Sequence, residues 1–177
     1  LAALRHPGVV RILDHGVLED GLPWYAMEQL HGQTLRTARL ARRRALTVLR
    51  QVCETLAWLH GEGVVHSDLK PDNIFLREDG TPVLVDFGLR GAYGAGREAV
   101  SAGDNLLAGT AMYTAPEQIQ GRFVDARADL YSLGCILFEQ LTGRPPFLGS
   151  VWELVEAQKN TPAPRARASP VAAPPLL

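Results

Sequence analysis

Asp68, Lys70, Asn73 and Asp86 are the residues whose types and spacing could carry a reaction. Asp79-Gly80 is a two-residue hairpin signal between the apolar runs Ile74 to Leu76 and Val83 to Val85. With those two residues as the loop, Glu78 faces Thr81, Leu76 faces Val83 and Asn73 faces Asp86. Directly opposed side chains hold their Cβ atoms about 5 Å apart. The open end of the hairpin would then bring an amide oxygen beside a carboxylate. Hard oxygen ligands at that separation suit Mg²⁺, which takes few protein ligands and completes its shell with phosphate and water. Asp68 and Lys70 would share that end. A carboxylate there can orient a hydroxyl nucleophile and accept its proton. An ammonium two residues on can offset charge on a transferring phosphoryl group.

These groups need elements to hold them. Val9 to Leu13 and Trp24 to Met27 read as strands, with Glu19-Asp20-Gly21 as a turn. Leu46, Leu49, Val52, Leu56 and Leu59 recur at helical spacing, which predicts a helix over 45–60 capped by Gly61. Residues 89–108 read as a long loop. Leu130 to Leu141 is apolar on nearly every face, which predicts a buried central helix. Pro145-Pro146 stops helix after Gly143, and Val151 to Ala157 suggests one more short helix. Residues 161–177, rich in Pro and Ala, read as a linker or an extended connection.

Composition narrows the class. A net charge of −1 gives no bulk electrostatic case for nucleic acid or membrane binding. No apolar run reaches membrane-spanning length. Cys53 and Cys135 read as two reduced, buried thiols without metal spacing, with a disulfide as the second reading. Six arginines between Arg36 and Arg50 read as a solvated surface, with an acidic partner as the second reading. Asp72 reads as a solvated carboxylate, the alternative being a contact with a basic substrate residue.

The segment His66 to Asn73 resembles the catalytic loop of eukaryotic-type serine/threonine protein kinases of the bacterial-like kind. Asp86-Phe87-Gly88 resembles their magnesium loop, and Ala115-Pro116-Glu117 the end of their activation segment. Asn73 follows Asp68 by five, Asp86 follows Asn73 by 13 and Glu117 follows Asp86 by 31, so the motifs agree in order and spacing. The resemblance implies an α+β, protein-kinase-like fold. It implies a small-lobe remnant and hinge over 1–30, a mostly helical large lobe over 31–160 and a connection over 161–177. It implies ATP and Mg²⁺, catalytic roles for Asp68, Lys70 and Thr110, and Asn73 and Asp86 as metal ligands. Met27 resembles the gatekeeper, Glu28 to Leu30 the hinge that holds adenine, and Phe75 the apolar floor beneath it. Thr110 would bridge Asp68 and Lys70. Asp129 resembles the aspartate that braces the catalytic loop, and Leu1, Ile12, His66 and Phe87 the regulatory spine.

The implied activity is phosphoryl transfer from ATP to Ser or Thr of protein substrates, in the cytoplasm. A nucleotide-binding pseudokinase or scaffold is the alternative. Small-molecule kinases share the metal loop but usually lack this activation segment. The chain opens in mid-pattern without a Met, which suggests a fragment, and a membrane tether elsewhere stays open. No glycine-rich loop, strand lysine or partner arginine for Glu117 lies within the 177 residues. Alone, they are expected not to phosphorylate proteins, and Glu117 is expected to be buried and unpaired. Ser67 stands where the family usually has Arg, so phosphate at Tyr93 or Ser101 is expected to contribute little through that position. Nothing in the sequence fixes an oligomeric state.

Overall fold

A computed structural model describes residues 4–86 and 110–166. Strands β1 (Ile12–Val17) and β2 (Pro23–Met27) form an antiparallel ribbon with an irregularity between Ile12 and Asp14. The ribbon begins three residues later than the pattern of Val9 to Leu13 suggests. Val9 instead makes a parallel bridge to Leu84, with Val10 N–H donating to the Leu84 carbonyl at 3.0 Å. The turn closes through Leu18 and Leu22, with Gly21 at φ 86°.

Strands β3 (Gly32–Thr34), β4 (Ile74–Arg77) and β5 (Pro82–Leu84) form a second antiparallel sheet in the order β3-β4-β5. The β4–β5 register differs by one residue from the two-residue loop. Phe75 pairs with Val83 and Leu76 with Pro82. Gly80, at φ 79°, donates to the Arg77 carbonyl, and Arg77 N–H donates to Thr81. The loop therefore has three residues, Glu78 to Gly80, with glycine in the left-handed place such loops require. Asn73 consequently sits across from Val85, whose N–H it accepts at 3.1 Å, and not from Asp86. Asp86 falls one residue further on and turns away from the ladder at φ 56°.

Helix α1 (Arg42–Gly61) lays Ala45, Val48, Leu49, Val52, Thr55, Leu56 and Leu59 against the core, while Leu46 is exposed. Its first turn holds three arginines and no capping side chain, so packing of this stripe rather than its ends maintains it. Its end is a Schellman motif. Val64 N–H reaches the Leu59 carbonyl, and Gly63 N–H reaches that of His60. Gly63, at φ 74°, supplies the left-handed residue expected of Gly61.

After a short α2 (Pro116–Ile119) come α3 (Ala126–Thr142) and α4 (Val151–Asn160). Helix α3 is buried on one face only. Ala128, Asp129, Ser132, Leu133, Cys135 and Ile136 face the core, whereas Leu130 is 56% exposed. Gly143 ends it at φ 79°. Helix α4 starts on a Ser150–Glu153 capping box. One apolar core joins α1, α3, both strands of the hairpin, Val9, Val10, Leu35, Leu69 and Tyr113.

Cys135 is buried, and burial pushes its thiol up to about 12, so it stays protonated. Cys53 is exposed, contrary to the expectation for it, and both thiols are free. The arginines are only partly a solvated surface. Arg44 donates to the Gly80 carbonyl at 2.9 Å, tying α1 to the hairpin turn, and Arg36 joins a network described below. No helix among the described residues is long and apolar enough to cross a membrane. Leu1, Phe87, Gly88, Tyr93, Ser101 and Gly109 lie outside the described residues, as does the 89–108 loop.

Candidate active site

The loop between α1 and β4 carries the chemistry, and the buried carboxylate of Asp129 shapes it. Asp129 Oδ2 accepts the His66 backbone N–H at 2.8 Å, and Oδ1 accepts that of Ser67 at 2.9 Å. His60 Nε2 donates to Oδ2 at 2.8 Å, which joins the end of α1 to the same carboxylate. Ser67 is held at φ 65°, a left-handed conformation unusual for serine. Its carbonyl accepts from Gln118 Nε2 at 2.7 Å, so α2 grips the loop as well.

Beyond Ser67 the functional groups converge. Lys70 Nζ donates to Asp68 Oδ2 at 2.9 Å and to Thr110 Oγ1 at 3.2 Å. Asn73 Nδ2 donates to the Asp68 carbonyl at 2.9 Å and to Asp68 Oδ2 at 3.3 Å. A carboxylate that accepts an ammonium and an amide is held in a fixed orientation. The segment carrying Thr110 is held from beneath. Ser132 Oγ donates to the Tyr113 carbonyl, and Gln158 Nε2 donates to the carbonyls of Ala111 and Met112.

His66 is buried between Val85 and this loop. Its Nε2 lies 3.1 Å from the Val85 carbonyl, so Nε2 carries the proton, and Nδ1 accepts from Asp68 N–H at 3.3 Å. Burial lowers its affinity for a second proton, against the pull of the Asp129 and Asp68 carboxylates. An unfolded histidine titrates near 6.5, so below that pH the unfolded chain binds more protons than the folded one. Stability should therefore fall as the pH drops below about 6.5. Urea midpoints between pH 7.5 and pH 5 would show it. His66→Phe should have a flatter profile there, and an unchanged slope would remove His66 as the cause.

The remaining sequence-predicted residues lie at the end of the ribbon, in the segment that follows it, and on or just after the hairpin. Asp86 Oδ1 accepts the Tyr25 hydroxyl at 2.7 Å. Burial, and then this bond, push the Tyr25 phenol up to about 12. Met27 is exposed at the end of the ribbon. Glu28 Oε1 accepts Arg11 N–H at 2.9 Å, and Arg77 stands 3.4 Å away. Leu30 packs against the core and Phe75 is half-buried on β4. A depression of about 350 Å³ runs from Glu28 to His31 and along Arg77 to Asp79, but it contains none of Asp68, Lys70, Asn73 or Asp86. Glu117 is partly buried rather than buried, and makes no ion pair among the described residues.

A family profile described as the protein kinase domain matches residues 1–166. The chain belongs to the protein kinase family. It is 39% identical over 176 residues to the serine/threonine-protein kinase PknB of Mycolicibacterium smegmatis, covering 94% of this chain and 28% of that protein. It is 40% identical over 156 residues to PknB of Mycobacterium tuberculosis, covering 84% of this chain and 25% of that protein. A probable serine/threonine-protein kinase of Streptomyces coelicolor is 38% identical over 175 residues, covering 93% of this chain and 26% of that protein. The chain thus spans about a quarter of the length of these relatives.

The kinase resemblance places Asp68, Lys70 and Asn73 in one loop, and the structure brings Thr110 to them from 40 residues away. Sequence reasoning missed Gln118, Gln158, Tyr25 and Arg36. The distant partners that make them part of the site lie between 27 and 103 residues away, beyond the reach of any spacing rule.

Proposed function

We propose that the protein transfers the γ-phosphoryl group of ATP to Ser or Thr hydroxyls of protein substrates, in the cytoplasm. The meeting of Asp68, Lys70 and Thr110 at hydrogen-bond distance carries this reading. Asp68 orients the acceptor hydroxyl and takes its proton. Lys70, held between Asp68 and Thr110, stabilises charge on the transferring group. The Lys70 position and the names of the relatives support Ser/Thr acceptors. Met27 and Glu28 to Leu30 form the hinge edge of the nucleotide site, with Phe75 beneath. Glu28 N–H is already bonded to the Arg11 carbonyl, so adenine would use other backbone groups. The hinge, near residue 30, is the boundary between the small-lobe portion and the large lobe, which runs to about residue 160.

Asn73 and Asp86 fit a magnesium site by donor chemistry. Both hydrogen bonds of the Asn73 side chain leave from Nδ2, so its oxygen remains as a ligand. Asp86 has Oδ2 besides the oxygen that receives Tyr25. Magnesium, when bound, would neutralise phosphate charge. Asp86→Asn in the full-length protein should abolish Mg²⁺-dependent transfer of radiolabelled phosphate. The circular dichroism spectrum and melting temperature should change little, because Asp86 accepts only one side-chain bond among the described residues. Full activity of that variant would count against the metal assignment. Absence of transfer by the wild type would favour a pseudokinase.

A further inference from the structure

A polar cluster lies beside the catalytic loop, with Arg36 at its centre. Its Nε and Nη2 donate to Asp72 Oδ2 at 3.3 and 3.2 Å. Nη1 donates to Glu139 Oε1 at 2.9 Å, and Nη2 donates to the Tyr113 hydroxyl at 2.9 Å. Tyr113 in turn donates to Glu139 Oε2 at 2.6 Å. Burial, and then the bond to Glu139, raise the Tyr113 phenol well above its ordinary value, so it remains a donor at any working pH. Arg36 N–H also reaches the Pro71 carbonyl at 3.2 Å, which fixes the base of the side chain. One guanidinium therefore fills the space between two carboxylates that belong to different elements.

The position matters because of what is next to it. Asp72 follows Asp68 by four residues, and Tyr113 follows Thr110 by three. At most about 14 Å of chain separates Asp68 from Asp72. An extended acceptor peptide rises about 3.3 Å per residue. A residue within about four of the acceptor hydroxyl can thus reach Asp72. Asp72 and Glu139, without a cation of the protein's own, would form a fork for an arginine or lysine of that peptide.

We infer that Arg36 is a specificity-determining residue of the acceptor site. Its guanidinium occupies the carboxylate pair Asp72 and Glu139, so the protein takes Ser or Thr acceptors without needing a flanking basic residue. The inference rests on the kinase reading above. Arg36 touches no reacting atom; it acts by filling a place that a substrate cation would otherwise take. A lysine in its place would keep the charge but lose the fork that meets both carboxylates and the tyrosine at once.

The test uses the full-length protein and alanine-rich peptides containing one Thr, with Arg placed singly at each of the four positions on either side. The wild type should phosphorylate the Arg peptides and the all-Ala parent with kcat/KM within about threefold. Arg36→Ala should favour at least one Arg peptide by about tenfold or more, chiefly through a lower KM, with Arg36→Lys in between. A loss of stability alone would lower all peptides together and leave the ratio unmoved, which would overturn the inference. Peptides with Ala in place of Thr give a readout free of turnover. By titration calorimetry, the Arg version should bind Arg36→Ala about tenfold more tightly than it binds the wild type. A wild-type preference for Arg peptides above tenfold overturns the inference without any variant having to fold. Transfer to no peptide by the wild type overturns the kinase reading, and this one with it.

Discussion

In the full-length protein, Asp68→Asn is expected to lower the rate of phosphate transfer to a Thr-containing protein by about 10²–10⁴. Asparagine keeps the size of the side chain and one oxygen. That oxygen can still accept from Lys70 Nζ, now 2.9 Å from Asp68 Oδ2, or from Asn73 Nδ2. What it loses is a group able to take the acceptor proton, together with the charge that holds the ammonium. The loss should therefore fall on kcat, with the KM for ATP changing by no more than about threefold, because Asp68 belongs to the acceptor side of the site. Initial rates at saturating ATP, with a thermal melt of the variant as a check on folding, decide the matter. A folded variant within threefold of the wild-type rate would remove Asp68 from the proton transfer and leave it a structural partner of Lys70.

The parts of this site legible in the sequence are those that short-range geometry dictates. Asp68, Lys70 and Asn73 lie within six residues, so their proximity follows from the chain itself. Asp86 arrives through a hairpin whose existence was legible but whose register was not. Asp79-Gly80 fits a two-residue loop and the tail of a three-residue one equally well. The bond from Arg77 N–H to the Thr81 carbonyl, with Phe75 paired to Val83, selects the longer. That one-residue difference replaces Asp86 by Val85 across from Asn73.

Composition misled in another way for α3. Its run of apolar residues suggested burial on all sides. The structure buries the Ala128, Ser132 and Ile136 side, leaving Leu130 exposed, and Phe123 upstream of the helix is 87% exposed. Hydrophobicity reports what a face can bury, not what covers it. Arg36 shows the remaining limit. Its arginine neighbours suggested a solvated surface, yet its partners stand 36, 77 and 103 residues further along the chain. Only tertiary folding assembles such a network.

Asp129→Ala should be the most destabilising single change at the site. Asp129 is 1% exposed and its carboxylate receives the backbone N–H groups of His66 and Ser67 and the His60 imidazole. Alanine supplies none of these acceptors and opens no route for bulk water. Each buried donor left without a partner costs about 1–3 kcal/mol, so the two backbone groups alone put the loss at about 2–6 kcal/mol. That is a large part of the 5–15 kcal/mol typical of a whole domain. The damage should also be directional. Ser67 sits at φ 65°, and the bond to Asp129 Oδ1 is one of the contacts that hold it there. Without it, the loop should relax toward an ordinary conformation and carry Asp68 away from Lys70. Hydrogen exchange at the His66 and Ser67 amides should accelerate more than exchange in the Val48 to Leu59 stretch of α1. Ser67→Gly offers the converse. Glycine adopts that φ freely, so this variant should keep the Asp129 bonds and be stabilised by up to about 1 kcal/mol. Urea midpoints measure both variants. A loss below about 1 kcal/mol for Asp129→Ala, with unchanged exchange at Ser67, would show that the loop holds its shape without the carboxylate.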